Sequence, residues 1–250
     1  MRGLAAAFLF FALPSVAVSV TGTDWRPGQD HSVEHTGVMD HLVVFLPADY
    51  TPDHSWPVIV YYHGWGGRPN TRIFRAVTTG KGFIIIGINY GDEKYSKNLQ
   101  EDRLRGERRH FKRTLDILEE QISIDRSRVF MAGYSQGGYS TANLGETMLS
   151  DLLGLIILGA GRGWGSAQAP RQGLISDKPV FIGAGQDDDP HGMRAQLAAM
   201  DYHRWGADIT LEIWPDTDHM MGWRWYQDDP ARGVRLLEWL QRHSRSPVGD

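Results

Sequence analysis

Beyond residue 40 the chain alternates between two hydrophobic rhythms. Short apolar runs rich in branched side chains occur at Val58–Tyr62, Phe83–Asn89, Leu155–Leu158 and Val180–Ile182, with His41–Pro47, Arg128–Ala132 and Ile209–Trp214 of similar length. A run of this kind with little polar alternation is the pattern of a strand covered on both faces. Between the runs lie longer stretches with helical spacing. Leu99–Ile122 sets Leu104, Phe111, Leu115, Leu118 and Ile122 on one side of a charged segment, so it predicts a helix with one buried face. Gln136–Leu149, Met193–Trp205 and Pro230–His243 are read the same way. Strands alternating with helices predict an α/β fold, a mostly parallel sheet with helices on both faces. With no internal repeat and no low-complexity linker, residues 20–250 read as a single domain.

The N-terminal segment has a different pattern. Met1-Arg2-Gly3 carries one positive charge, and Leu4 to Leu13 is an unbroken apolar run of ten residues ended by Pro14 and Ser15. This is the layout of a secretory signal peptide over residues 1–19, with cleavage expected after Ser19 or Ala17. The competing reading is an uncleaved anchor, but Leu4–Val20 is only 17 residues and is interrupted by Pro and Ser. The mature chain is therefore expected to be secreted or periplasmic and free of the membrane.

Composition narrows the chemistry. The chain has no cysteine, which removes disulfides, thiolate nucleophiles and cysteine-held metals. A net charge of −4 argues against nucleic acid as a partner. The basic residues of Glu101–Arg113 are interleaved and flanked by acids, as on a solvated helix face. Two surpluses remain, 29 glycines and 9 tryptophans.

The glycines sit where chemistry needs them. Gly133-Tyr134-Ser135-Gln136-Gly137-Gly138 follows one predicted strand and opens a predicted helix, the context in which a Gly-x-Ser-x-Gly elbow carries meaning. So tight a strand-to-helix turn crowds backbone against backbone, so the flanking positions must lack side chains. Ser135 is then thrust out at the top of the sheet, with the amides of the following helix aimed at the same point. A second cluster, His63-Gly64-Trp65-Gly66-Gly67, also follows a strand. Its bare backbone suits the other half of an oxyanion hole, with the amides of Trp65 and Gln136 as the donors. His63 reads as a brace for this loop rather than as a base.

A serine nucleophile needs a base, and the base needs an acid, in the order Ser, Asp or Glu, His. His219 lies in the loop after the last predicted strand and before the closing helix, the only one of ten histidines so placed. The run Val180–Gly185 leads into Asp187-Asp188-Asp189. Counting from Gly185 selects Asp188, with Asp187 second. The remaining aspartates are expected to cap the helix near His191.

These residues resemble the α/β-hydrolases from about residue 40 to the end, in particular the small exported esterases related to feruloyl esterases, polyhydroxyalkanoate depolymerases and dienelactone hydrolases. Acyl-protein thioesterases share the form of the elbow at 133–138. The resemblance implies an α/β-hydrolase fold, Ser135 as nucleophile, His219 as base, Asp188 as its partner and the Trp65 and Gln136 amides as oxyanion hole. One departure concerns the acid: many family members follow it with Val-Pro, and here Asp189-Pro190-His191 stands instead. Dienelactone hydrolases use a cysteine nucleophile, which this chain lacks.

The function expected is that of a serine esterase, monomeric and without cofactor, acting on a small-molecule or polymeric ester through an acyl-enzyme. Gly159–Lys178 is too short for a large cap domain, leaving the site open to bulky esters. Trp65, Tyr134, Trp164, Trp214, Trp223, Trp225 and Tyr226 cluster near the expected site in the chain. Trp164 and Trp223 are candidate substrate-binding residues; Trp214 reads as core filler. Asp187, Asp189 and His191, or His31, His35 and His41, could instead hold a metal, although neither set has a convincing ligand spacing. A serine peptidase, a thioesterase and a non-catalytic binding protein on the same fold remain the alternatives.

Overall fold

The computed structural model describes residues 23–35, 40–91, 101–163, 174–220 and 224–245. The expected signal peptide and the candidate residues Trp164 and Trp223 lie outside them. Eight strands form one sheet: β1 (Asp30–His35), β2 (Asp40–Phe45), β3 (Trp56–Tyr62), β4 (Ile84–Ile88), β5 (Ile124–Tyr134), β6 (Gly154–Leu158), β7 (Pro179–Gly185) and β8 (Asp208–Trp214). Their order is β1-β2-β4-β3-β5-β6-β7-β8. The hairpin β1–β2 adds to β4 antiparallel, and every pair from β4 to β8 is parallel. The α/β class expected from the strand–helix alternation is the one observed.

The helices are α1 (Arg72–Val77), α2 (Glu101–Glu119), α3 (Gln136–Glu146), α4 (His191–Arg204), α5 (Trp225–Asp228) and α6 (Pro230–Ser244). Alternation along β3 divides the core in two. Val58, Val60 and Tyr62 face Phe111, Leu115 and Leu118 of α2, Leu144 of α3 and Tyr202 of α4. Ile59 and Tyr61 face Phe74 of α1 and Trp239 and Leu240 of α6 on the other side. Strands β3, β4, β6 and β7 are buried along their whole length, which is why they read as continuous apolar runs.

Three elements were not expected. β1 alternates buried His31 and Val33 with exposed Ser32 and Glu34, and a histidine in an apolar slot conceals the period of two. α1 and α5 span six and four residues, too few for a helical period to register. Among the described residues no helix is long and apolar enough to cross a membrane.

In a parallel sheet all carboxyl ends point one way, and ligands bind outside them. Here the ends of β3, β5, β7 and β8 lead directly into His63–Gly67, Ser135, Asp188 and His219.

Candidate active site

The elbow is built by two glycines. A Cβ on Gly133 would lie 2.0 Å from the Gly137 carbonyl oxygen, and one on Gly137 would lie 2.0 Å from the Tyr62 carbonyl oxygen. Ser135 turns the chain between them at φ 55°, ψ −118°, a left-handed conformation that costs a residue with a side chain on the order of 1–3 kcal/mol. It is also the N-cap of α3, yet its hydroxyl caps no backbone amide. Instead Ser135 Oγ lies 2.8 Å from His219 Nε2.

His219 Nδ1 lies 2.9 Å from Asp188 Oδ2, and the Asp188 side chain is only 1% exposed. An ionised carboxylate only accepts, so Nδ1 carries the proton and donates it to Asp188. Nε2 is then bare and accepts from the Ser135 hydroxyl. Of the three consecutive aspartates it is Asp188 that meets His219; Asp187 and Asp189 are exposed. The expectation that these two cap α4 is corrected: its N-cap is Pro190, with no side-chain hydrogen bond. A backbone zipper fixes the acid loop against the histidine loop, with Gln186 N donating to Trp214 O at 2.8 Å and Asp187 N to Thr217 O at 3.0 Å. Arg232 of α6 supports the same loop, donating to Thr217 Oγ1 at 3.2 Å and Pro215 O at 3.5 Å.

The loop after β3 closes the other side. Gly64 lies beside the serine, where a Cβ would be in ordinary contact 3.5 Å from Ser135 Cβ, and Gly67 N donates to Gly64 O at 3.0 Å. His63 is buried and away from Ser135 chemistry. Its ring nitrogens meet Gly64 O at 2.8 Å and Asn89 Oδ1 at 3.2 Å, while Tyr90 Oη donates to the His63 carbonyl at 2.6 Å. Trp65 projects its indole into solvent, 85% exposed, while its backbone runs beside Gly64. Gln136 opens α3, so its amide is among the first-turn donors that an α-helix leaves without an internal partner.

The other aromatics divide. Trp214 and Trp225 are buried and stacked on each other, centroids 4.8 Å apart, on the face of the sheet that carries α6. Trp214 therefore fills core as expected, whereas Trp225, counted among the aromatics near the site, is corrected to core. Tyr134 borders the site, its ring 5.6 Å from that of His219. The His191 ring lies 4.3 Å from that of His219, with Tyr139 Oη 2.7 Å from its Nδ1. Sequence reasoning missed Tyr139, Thr217 and Arg232, and weighed His191 only as a metal ligand; its position three residues after Asp188 was the one available signal.

Among the described residues one group, Asp188, His191 and His219, brings ligand atoms within 4.8 Å of one another. The two imidazoles are stacked at 26°, so their in-plane lone pairs run side by side and do not converge on one point. His31 binds the Arg26 backbone instead, and His41 is exposed.

Comparison with known proteins bears on the fold. The structure resembles an esterase from Pseudomonas putida, with a TM-score of 0.66, 15% identity and coverage of 87% of this chain and 83% of that one. It resembles a ferulic acid esterase from Anaeromyces mucronatus at a TM-score of 0.59 and 17% identity, over 91% and 97% of the two chains. The chain has an α/β-hydrolase fold. A thermostable esterase also superposes at a TM-score of 0.65 and 17% identity, over 87% of this chain and 63% of that one. Residues 35–145 match the family model described as putative esterase, a stretch that holds the His63–Gly67 loop and the elbow and stops before Asp188 and His219.

Proposed function

We propose that the protein hydrolyses carboxylic esters through an acyl-enzyme, with Ser135 as nucleophile, His219 as general base and Asp188 as its orienting acid. The observation that carries this reading is the hydrogen-bonded chain from Ser135 Oγ to His219 Nε2 at 2.8 Å and from His219 Nδ1 to Asp188 Oδ2 at 2.9 Å. The similarity to esterases supports it.

Ser135 Oγ attacks the ester carbonyl carbon as its proton passes to His219 Nε2. The buried carboxylate of Asp188 stabilises the resulting imidazolium. The carbonyl electrons move onto oxygen, where the amides of Trp65 and Gln136 receive the negative charge; one such donor is worth about 2.7–4 kcal/mol. The imidazolium then protonates the departing alkoxide, leaving Ser135 acylated and His219 neutral. Water repeats the sequence, releasing the carboxylic acid and restoring the serine.

The substrate is an ester large enough to benefit from an open site. The exposed indole of Trp65 supplies an apolar surface beside the serine, and Trp164 and Trp223 are further candidates for substrate contact. Export directed by residues 1–19 would put the enzyme where polymeric esters are met; N-terminal sequencing of the secreted protein tests it.

Turnover of a p-nitrophenyl ester by Ser135→Ala, His219→Ala, Asp188→Asn and Asp187→Asn is the deciding experiment. The first three should lose nearly all activity while keeping the native melting temperature, and Asp187→Asn should keep it. Full activity in Ser135→Ala or His219→Ala would overturn the mechanism. A panel of acetyl, feruloyl, short-chain and polyester substrates, with a thioester and a peptide amide, assigns the ester. Exclusive cleavage of the thioester or amide would replace this reading with thioesterase or peptidase, and cleavage of none with a binding protein.

A further inference from the structure

The imidazole of His219 has two aromatic rings packed nearly parallel to it. The Tyr134 ring lies 5.6 Å away at 19°, and the His191 ring 4.3 Å away at 26°. Each of these rings is itself tied down. Tyr134 Oη donates to the backbone carbonyl of His219, and Tyr139 Oη forms a hydrogen bond with His191 Nδ1 at 2.7 Å. Tyr134 precedes the nucleophile and Tyr139 follows it by one turn of α3, so both anchors refer back to the elbow that sets Ser135.

The need for such packing follows from the way His219 is held. It sits on a loop, with its side chain 30% exposed. Its two nitrogens bond to Ser135 and Asp188, which fixes the ring in its plane but leaves it free to tip about the axis joining them. Two flat partners lying nearly parallel to the ring oppose that tipping. We propose that Tyr134 and His191 are positioning residues that clamp the His219 ring in the plane needed for proton transfer with Ser135; the proposal rests on His219 being the base.

The charges around His191 suit this role. It faces Asp188 and Asp189 from the preceding loop, Arg194 from its own helix α4, Tyr139 from α3 and His219 across the stack. Burial and the neighbouring His219 hold its pKa below the ordinary imidazole value, against the pull of the two aspartates. A neutral jaw is required, since a second cation at 4.3 Å would oppose the imidazolium formed on His219 in each half-reaction.

The test separates a clamp from a merely structural contact. His191→Ala removes a jaw, and His191→Phe keeps a flat neutral ring. On p-nitrophenyl acetate the alanine variant should lose about 10-fold in kcat with KM within about 2-fold, because the fault is in orientation and not in binding. The phenylalanine variant should recover most of that loss. Tyr139→Phe, which leaves every ring in place and only releases His191, should fall between them and guards against an alanine variant that fails to fold. A second readout is independent of turnover: 15N-edited spectra of histidine-labelled protein should show the His219 ring signals broadened in His191→Ala and sharp in His191→Phe. Wild-type kcat with sharp signals in the alanine variant overturns the clamp, as does a phenylalanine variant no better than alanine. Were His219 not the base, the spectra would still report the clamp while His219→Ala kept its turnover.

Discussion

Gly185 and Thr217 touch backbone to backbone: a Cβ on Gly185 would lie 2.0 Å from the Thr217 carbonyl oxygen. The end of β7, which carries Asp188, thereby rests against the loop that carries His219. The same contact is sealed by the hydrogen bond from Asp187 N to Thr217 O. Gly185→Ala must push the two loops apart. The expected result is a fall in kcat of about 10-fold or more from displacement of the Asp188–His219 pair. The loss of stability, about 1–3 kcal/mol for overpacking, is measured separately by denaturant unfolding. An alanine variant with native kcat would show that the loops do not depend on this contact.

Trp65 offers the opposite combination, with its backbone at the site and its side chain in water. Trp65→Ala should leave the melting temperature unchanged because the indole is 85% exposed. It should also leave kcat unchanged, because the amide remains. What should change is KM, rising about 3- to 10-fold for aromatic esters such as methyl ferulate and little for methyl acetate, the scale of one aromatic contact. An equal effect on both esters would remove the indole from substrate recognition.

Two histidines link stability to pH. Burial depresses the pKa of His243, whose ring lies 4.7 Å from that of Trp239, and burial with the nearby His219 depresses that of His191. Below the ordinary imidazole value near 6.5 the unfolded chain binds protons that the folded chain refuses. Stability therefore rises with pH through this region and is lost on acidification. His243→Phe keeps a ring against Trp239 and removes one of the two linked groups. The gap between its melting temperatures at pH 7.5 and pH 5 should be smaller than that of the wild type; an unchanged gap would exclude His243 as a source of acid sensitivity.

Much of the site could be read from the sequence because its residues sit at strand ends, and buried parallel strands are marked by their apolar runs. Ser135 between Gly133 and Gly137 is the sharpest case, since only glycine tolerates contacts of 2.0 Å to neighbouring carbonyl oxygens. The choice among Asp187, Asp188 and Asp189 depended on a count from Gly185, and in space Asp188 is set apart by its burial and its bond to His219. His191, Tyr139 and Arg232 left no comparable trace. Each acts through a contact between elements distant in sequence, such as the 52 residues between Tyr139 and His191. β1 was hidden for a local reason, its His31 occupying an inward position that a periodicity argument reserves for an apolar side chain.

Arg232 gives the last prediction. It is nearly buried on α6, its guanidinium 5.8 Å from the centroid of the Trp214 ring, with Asp229 3.4 Å from its Nε. From there it donates to Thr217 Oγ1 and Pro215 O, two acceptors on the loop that ends in His219. Arg232→Lys keeps the charge but loses the fork that spans both acceptors. It should lower kcat several-fold and loosen the loop. Thr217→Val removes one of the acceptors from the other side. If the bond between them is what holds the loop, the double variant should be hardly worse than either single one, with a coupling of about 1 kcal/mol in both unfolding free energy and log kcat. Strict additivity of the two substitutions would mean that Arg232 and Thr217 act on His219 by separate routes.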